Sequence, residues 1–147
     1  MQTQLTTLNN GLRIVTCSRP NTETVSLGIW IKTGSAYEDE KINGISHFLE
    51  HMVFKGTKNR TSLQISEEIE NVGGQNNAYT SREFTAFYAK MLKDDTELAL
   101  DVISDLILNP TFPEEELVKE REVVVQEIKQ TIDSPDDIIF DYFQGKA

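Results

Sequence analysis

Two histidines and a glutamate stand close together in the segment His47-Phe48-Leu49-Glu50-His51, and the sequence contains no other histidine. In a helix, successive residues are rotated by about 100°, so Glu50 lies about 60° to one side of His47 and His51 about 40° to the other. Two imidazoles on one arc suit a zinc ion, which binds neutral histidine nitrogens at about 2.0–2.1 Å. The carboxylate can then act as a general base on water that the zinc activates. The plainer interpretation is a helix with two surface histidines.

A zinc site with two histidines needs a further protein ligand, because catalytic sites typically use three and keep one position for water. That ligand must be an Asp, Glu or Cys, since no third histidine exists. On the helix predicted after Pro113, Glu120 and Glu127 lie about 20° apart, within an arc shared with Leu117, Val123, Val124 and Ile128. A buried carboxylate without a partner costs on the order of several kcal/mol, so this pair is predicted to face a cation or a set of donors.

Ion pairing is the alternative to a role at the metal for both carboxylates. Glu120 would then form a salt bridge rather than orient a ligating histidine. Glu127 would pair with a basic side chain, for which the candidates are Arg82, Arg121 and the lysines. Other candidates for the third ligand are Cys17, Asp94 and Asp133.

Short segments rich in β-branched or aromatic residues predict four strands, which we expect to form one sheet. The last two strands should pair as a hairpin, because only the polar break Ser81-Arg82-Glu83 separates them. The predicted strands are Leu12 to Cys17, Val25 to Thr33, Gln75 to Thr80 and Phe84 to Leu92.

Apolar periodicity and capping signals predict five helices. The first carries the histidines and ends near Lys55-Gly56, and the second starts at a capping box formed by Thr61 and Gln64. Together with the strands they predict an α+β fold, a mainly antiparallel sheet with helices packed on one face. The predicted helices are Ile42 to about Phe54, Thr61 to Gly73, Asp94 or Asp95 to Asn109, Pro113 to about Ile132, and a short one from Pro135 that fades into Gln144-Gly145-Lys146-Ala147.

The composition is that of a single soluble domain, since 38% of the 147 residues are hydrophobic and 26% are charged. A net charge of −10 disfavours nucleic acid and anionic membranes as partners. The single cysteine, Cys17, cannot form an intramolecular disulfide, which fits a reducing compartment. The polar segment from Met1 to Gly11 predicts no secretory signal, transmembrane segment or transit peptide. We expect a protein of the bacterial cytoplasm, or of the mitochondrial matrix after processing.

Five stretches carry a family resemblance: GISHFLEHMVFKGT at 44–57, GGQNNAYT at 73–80, FTAFYA at 84–89, NPTF at 109–112 and EREVVVQE at 120–127. Through them the sequence resembles the pitrilysin, insulinase and mitochondrial processing peptidase family, the inverzincins, whose inverted zinc motif is H-x-x-E-H. The resemblance spans nearly the whole chain. It is strongest to the processing-peptidase beta subunit and the bacterial processing proteases.

The resemblance implies a role for each candidate residue of the metal site. It implies that His47, His51 and Glu127 bind one zinc ion per chain. Glu50 is then the catalytic general base, and Glu120 is a second catalytic-site carboxylate that supports the ligands.

The resemblance also implies that an edge strand beside the metal binds an extended peptide substrate through backbone hydrogen bonds. Its substrate-binding residues are Asn77, Ala78, Tyr79 and Thr80. Asn77 would in addition hold the scissile peptide. Without the resemblance, Asn77 is better explained as a turn or strand-end residue.

Members of this family are considerably longer than 147 residues. The resemblance therefore implies that residues 1–147 are one domain, the N-terminal part of the zinc-binding half, with the remaining strands and a second half absent. An exposed sheet edge where those strands belong would favour a homo- or hetero-dimer. The other expected partner is the second half-domain, or a partner subunit, that closes over the substrate.

The function expected from the residues and the resemblance together is that of a zinc metalloendopeptidase, a hydrolase that cleaves peptide bonds with zinc-activated water. Its acidic composition suggests presequence-like or short basic peptides as substrates. This chain alone is expected to have low or no activity. The alternative is a non-catalytic binding or assembly subunit of the same fold.

Overall fold

Two antiparallel sheets and five α-helices make up residues 2–144, the part of the chain that the computed structural model describes. The predicted α+β fold is confirmed, and the tail at 145–147, into which the last helix was predicted to fade, lies outside the described residues. The strands are β1 (Gln2–Thr7), β2 (Arg13–Ser18), β3 (Thr24–Ile31), β4 (Gln75–Thr80) and β5 (Thr85–Leu92). The helices are α1 (Ile45–Val53), α2 (Ser62–Glu70), α3 (Thr96–Leu108), α4 (Glu114–Asp133) and α5 (Pro135–Gln144).

The larger sheet has the strand order β3-β5-β4, so β4 is an edge strand. The predicted hairpin between β4 and β5 is confirmed, and its turn is closed by Ser81. The Ser81 amide donates to the Phe84 carbonyl oxygen at 2.8 Å, and the Phe84 amide donates to Ser81 Oγ at 3.1 Å. This turn fixes the register in which Thr80 faces Thr85.

The prediction of one four-stranded sheet is wrong. The strand at Arg13–Ser18 pairs instead with a strand that the sequence reasoning missed, Gln2–Thr7, and the two form a separate hairpin. Every residue of both strands is exposed. A strand without a buried face shows no apolar alternation, so periodicity gives no signal for it.

The core lies on one face of the larger sheet, under the helices. Alternate residues of β3 and β5 point into the core, and the residues between them point away. This confirms the prediction that the helices pack on one face of the sheet. The opposite face exposes the aromatic residues Trp30, Tyr79 and Tyr88. The buried core consists of Val53, Ile65, Ile69, Ala78, Phe87, Ala89, Met91, Ala99, Val102, Ile103 and Leu106.

Helix α2 begins as predicted, because the Thr61 side chain accepts from the Gln64 amide and the Gln64 side chain accepts from the Thr61 amide. Helix α4 differs from its prediction. Of its described residues only Glu120 and Val124 are buried, whereas Val123 and Ile128 in the predicted apolar arc are exposed.

No helix within residues 2–144 is long and apolar enough to span a lipid bilayer.

A buried carboxylate, Asp105 on α3, holds the segment that joins α1 to α2. Its two oxygens accept from four side chains, at 2.6 Å from Thr57 and Asn59, 2.9 Å from Asn109 and 3.0 Å from Arg60. Burial alone would raise the pKa of Asp105, but these four donors lower it to about 2. The charge on Asp105 therefore stabilises the folded chain.

We predict that Asp105→Asn lowers the free energy of unfolding by about 2 kcal/mol at pH 7, because the folded pKa lies well below the ordinary value. A lowered pKa contributes stability above pH 3.8 and loses it as the pH falls from 3.8 to about 2. The difference in the free energy of unfolding between wild type and variant should therefore shrink as the pH falls across that window. Urea titrations with a chelator present would measure it. Asp94→Asn, which changes an exposed carboxylate, is the control. Equal losses of unfolding free energy in the two variants would refute the stabilising role of Asp105.

Candidate metal centre

The two histidines and Glu127 meet where α1 packs on α4. His47 Nε2 and His51 Nε2 lie 3.2 Å apart, and Glu127 Oε2 lies 3.5 Å from the first and 3.4 Å from the second. A tetrahedral ion with ligands at about 2.05 Å separates its ligand atoms by about 3.3 Å. The three atoms are therefore spaced as a tetrahedral zinc ion requires.

The chemistry of the three atoms also favours a cation. The ring nitrogen His51 Nδ1 lies 3.0 Å from Glu120 Oε2, so in the neutral imidazole this nitrogen carries the proton and donates it. The lone pair of His51 is then on Nε2, facing a second imidazole nitrogen and a carboxylate oxygen. Lone pairs that converge in this way repel one another unless a positive charge lies among them.

Glu120 is the buried member of the centre. Its side chain is 8% exposed, and its second oxygen, Oε1, accepts a charge-assisted hydrogen bond from Lys55 Nζ. Burial alone would raise the pKa of Glu120, but the hydrogen bonds from Lys55 and His51 and the positive charge of Lys55 lower it below the ordinary value. Glu120 thus stays ionised and holds the ring of His51 in one orientation.

Glu50 lies between the two histidines on α1 and borders the sheet. Its Oε2 is buried and has no hydrogen-bond partner among the described residues. It borders a cavity of about 190 Å³ whose lining is mostly apolar and includes Leu49, Val53, Phe87 and Phe112. A buried carboxylate oxygen without a donor is rare in folded proteins, and a catalytic role is one of the reasons for which such a group is retained.

A wide cleft of about 690 Å³ opens beside His47, between the start of α1 and the turn that joins β4 to β5. The edge strand β4 leads into it, because Thr80, its last residue, lines the cleft. The lining includes Glu38, Gly44, His47, Thr80, Arg82 and Phe84. An extended chain lying along β4 would therefore pass next to His47.

The four residues predicted to bind substrate form the end of this edge strand. The Ala78 amide donates to Asn77 Oδ1 at 2.8 Å, so a side chain rather than the β5 backbone meets this amide. Tyr79 is 42% exposed on the face away from the helices. Asn77 lies within β4 rather than at a turn or strand end, which was the alternative interpretation.

The remaining candidates are not brought to the centre. In the described part of the chain, the group that can hold a metal contains His47, His51 and Glu127, and it includes none of Cys17, Asp94 and Asp133. Glu127 contacts the two histidines, and its alternative ion pair with Arg82, Arg121 or a lysine is not found among residues 2–144. For Glu120 both interpretations hold together, since it forms a salt bridge and also contacts a histidine. Glu127 is 45% exposed, so the expectation that it is buried is wrong.

The sequence reasoning missed two residues near the centre. Lys55, assigned only to the helix end, follows His51 by four positions and so lies on the same side of the chain, a spacing that could have identified it. Glu38, which precedes α1 in the chain, accepts hydrogen bonds from the Gly44 and Ser46 amides at the start of that helix. No local spacing rule connects positions that are six and eight residues apart, so nothing in the sequence pointed to Glu38.

The chain is similar to known proteins of one family. The model of the insulinase family, peptidase family M16, matches residues 13–147. An uncharacterized zinc protease of Bacillus subtilis, YmxG, is 50% identical over 135 residues, which are 92% of this chain and 33% of that protein. The mitochondrial-processing peptidase subunit beta of Rattus norvegicus is 44% identical over 146 residues, 99% of this chain and 30% of its own length.

A solved structure is also similar. The crystal structure of a protease from Helicobacter pylori superposes with a TM-score of 0.87 at 30% identity, over 95% of this chain and 34% of the other. The chain thus spans about a third of the length of the relatives that it matches.

We predict that Glu127→Gln weakens zinc binding at least about 100-fold, since it removes the only charged member of the three-atom group. Competition with a chromophoric chelator at pH 7 would measure the dissociation constant. Glu122→Gln, an exposed carboxylate on the same helix, is the matched control and should bind zinc as the wild type does. Equal affinity of the two variants would remove Glu127 from the ligand set.

Proposed function

Because the chain belongs to the insulinase family, peptidase family M16, we propose that it is the zinc-binding part of a zinc metalloendopeptidase. His47, His51 and Glu127 are its ligands for one zinc ion. The observation that carries the proposal is the convergence of their three donor atoms at 3.2–3.5 Å, the spacing that a tetrahedral ion needs. The name of the Bacillus subtilis relative, a zinc protease, supports the choice of metal.

Zinc held by these ligands would supply Lewis-acid activation of the scissile carbonyl and of the attacking water. The chain's own residues supply the proton transfers. Glu50 takes a proton from the water and delivers it to the leaving amine, the work of a general base and then of a general acid. Its buried Oε2, which no donor in the described chain occupies, keeps a lone pair free for that proton.

Glu120 and Lys55 support the ligands rather than react. Glu120 fixes the tautomer and the ring orientation of His51, and Lys55 compensates the buried charge of Glu120. Because Glu120 is nine-tenths buried and hydrogen-bonded on both oxygens, it has little capacity left to take part in proton transfer. Glu50 is therefore the better assignment for the base.

The substrate that fits this site is an extended peptide that adds to the free edge of β4 and runs into the cleft beside His47. Asn77 would then release the Ala78 amide and bind a peptide group of the substrate. Glu38 and Glu83 line the cleft, and the chain carries a net charge of −10, which favours basic, presequence-like peptides.

The rest of the peptidase would supply the other wall of the cleft. The chain covers only 30% of the rat processing-peptidase beta subunit, so we propose that a second half or a partner subunit closes over the substrate. Residues 1–147 would then be a single domain of the zinc-binding half. The working compartment is proposed to be a bacterial cytoplasm or a mitochondrial matrix, where zinc is available and Cys17 stays reduced.

We predict that Glu50→Gln in the full-length protein lowers peptide cleavage by about 10²- to 10⁴-fold, because it removes the general base. Zinc content should not change, since Glu50 is not among the three ligands. A fluorogenic basic peptide and metal analysis provide the two measurements. Glu67→Gln, an exposed residue of α2, controls for the loss of one negative charge.

Normal cleavage by the Glu50→Gln protein would refute the role of Glu50. A full-length wild-type protein that binds zinc but cleaves no peptide would favour the alternative of a non-catalytic binding or assembly subunit.

We also predict that the isolated 147-residue chain binds zinc but cleaves peptides at less than about a hundredth of the full-length rate. The metal ligands are all present in it, whereas one wall of the substrate cleft is not, and positioning contributes a large share of a catalysed rate. Cleavage per bound zinc is the quantity to compare between the two proteins. Robust cleavage by the pure 147-residue chain, abolished by a chelator, would contradict this prediction.

A further inference from the structure

The two histidines of the metal centre are held in different ways. His51 is anchored by the hydrogen bond from its Nδ1 to Glu120. Within the described chain, His47 makes polar side-chain contacts only with His51 and Glu127, the other members of the centre. Its side chain is also 40% exposed, twice as much as the 20% of His51. The position of His47 therefore depends on the backbone that carries it.

That backbone is the first turn of a short helix. Helix α1 has nine residues, and helices of this length need capping or tertiary contacts to keep their ends from fraying. Its N-cap residue, Gly44, has a φ of 89° and offers no side chain as a cap. The exposed amides of this turn need an acceptor from elsewhere in the chain.

Glu38 provides that acceptor from a preceding loop. Its Oε2 accepts from the Gly44 amide at 2.6 Å and its Oε1 from the Ser46 amide at 2.8 Å. Ser46 immediately precedes His47 in the sequence. A carboxylate at a helix N-terminus also interacts favourably with the helix dipole. Both oxygens of one side chain thus fix the turn that presents His47.

The other acidic residues of the loop do not share this role. Asp39 caps its own turn, accepting from the Lys41 and Ile42 amides at 2.8 and 3.3 Å. Glu40 is exposed and makes no side-chain hydrogen bond or ion pair with the residues that the structure describes. Among the acidic residues of this loop, Glu38 is therefore the one that contacts the start of α1. Glu40 carries the same charge on the same loop but does not make these contacts.

The loop that carries Glu38 is itself fixed to the β4–β5 turn. The Ala36 amide donates to the Arg82 carbonyl oxygen at 2.8 Å. A Cβ added to Gly34 would lie 2.3 Å from the Ser81 carbonyl oxygen, so only glycine allows the loop to pack this closely. Through Glu38, the start of α1 is thus tied to the end of the edge strand.

We propose that Glu38 is a positioning residue, which sets the zinc affinity of the centre by holding the first turn of α1 and with it His47 in register with β4. The inference rests on the proposed function, because it assumes that zinc binds at His47, His51 and Glu127. Glu38 is not one of the three metal-binding residues. It acts through the backbone of Gly44 and Ser46.

The test compares Glu38→Gln with Glu40→Gln in the 147-residue chain. Both variants lose one negative charge from the same loop, but only Glu38→Gln loses an acceptor at the helix start. Zinc dissociation constants are measured by chelator competition at pH 7 and 10 °C. We expect Glu38→Gln to bind zinc about three- to thirty-fold more weakly than wild type, the range that loss of a helix cap corresponds to. Glu40→Gln should match wild type.

Cobalt provides a readout that stability alone does not change. The visible absorption of Co²⁺ in the site reports ligand geometry, and we expect it to be shifted in Glu38→Gln and unchanged in Glu40→Gln. If Glu38→Gln unfolds at 10 °C, Glu38→Asp replaces it, since the shorter side chain keeps the charge but cannot reach both amides.

A Glu38 variant with a lower melting temperature but wild-type zinc affinity and cobalt spectrum would overturn the proposal, because Glu38 would then be only a structural cap. Equal weakening in Glu38→Gln and Glu40→Gln would also overturn it, as an effect of charge alone. Failure of the wild-type chain to bind zinc would instead refute the metal centre itself, so the two failures are distinguishable.

Discussion

The contact between Glu120 on α4 and His51 on α1 is the interaction on which the metal centre depends. It joins residues that are 69 positions apart, and Lys55 extends it by binding the second oxygen of Glu120. Helix α4 buries only Glu120 and Val124 among its described residues, so hydrophobic burial contributes little to its position. A charged hydrogen-bond chain, rather than an apolar face, orients the helix that carries Glu127.

This dependence couples the metal to the fold. When no positive charge lies among them, the lone pairs of the three converging atoms repel one another, and the Glu120–His51 contact joins α4 to α1 beside them. A bound zinc ion would replace that repulsion with three bonds between the two helices, so part of its binding free energy becomes stability of this helix pair. The core under α2 and α3, with its own buried carboxylate at Asp105, does not need this contribution.

Helix phase predicted which side chains lie together at the candidate centre, and the family resemblance supplied their roles. Because residues four apart lie on one side of a helix, His47 and His51 had to face together, and the arc shared by Glu120 and Glu127 brought both to the neighbouring helix. Strand β1 was missed because none of its side chains is buried, so its sequence shows no apolar alternation. Val123 and Ile128 of α4 were expected inside but are exposed, since periodicity identifies an apolar face and not what covers it. Glu38 was missed because its contacts follow the path of a loop, which no periodicity describes.

Three carboxylates of the chain show how hydrogen-bond satisfaction separates structure from chemistry. Asp105 accepts from four side chains, and Glu120 accepts from Lys55 and His51. In both, the donors stabilise the ionised form and lower the pKa, which makes each a weak proton acceptor. Glu50 has a buried oxygen that accepts nothing from the described residues. Of the three, Glu50 alone has an oxygen left without a donor, and this unmet hydrogen bond is the structural basis on which we propose it as the base.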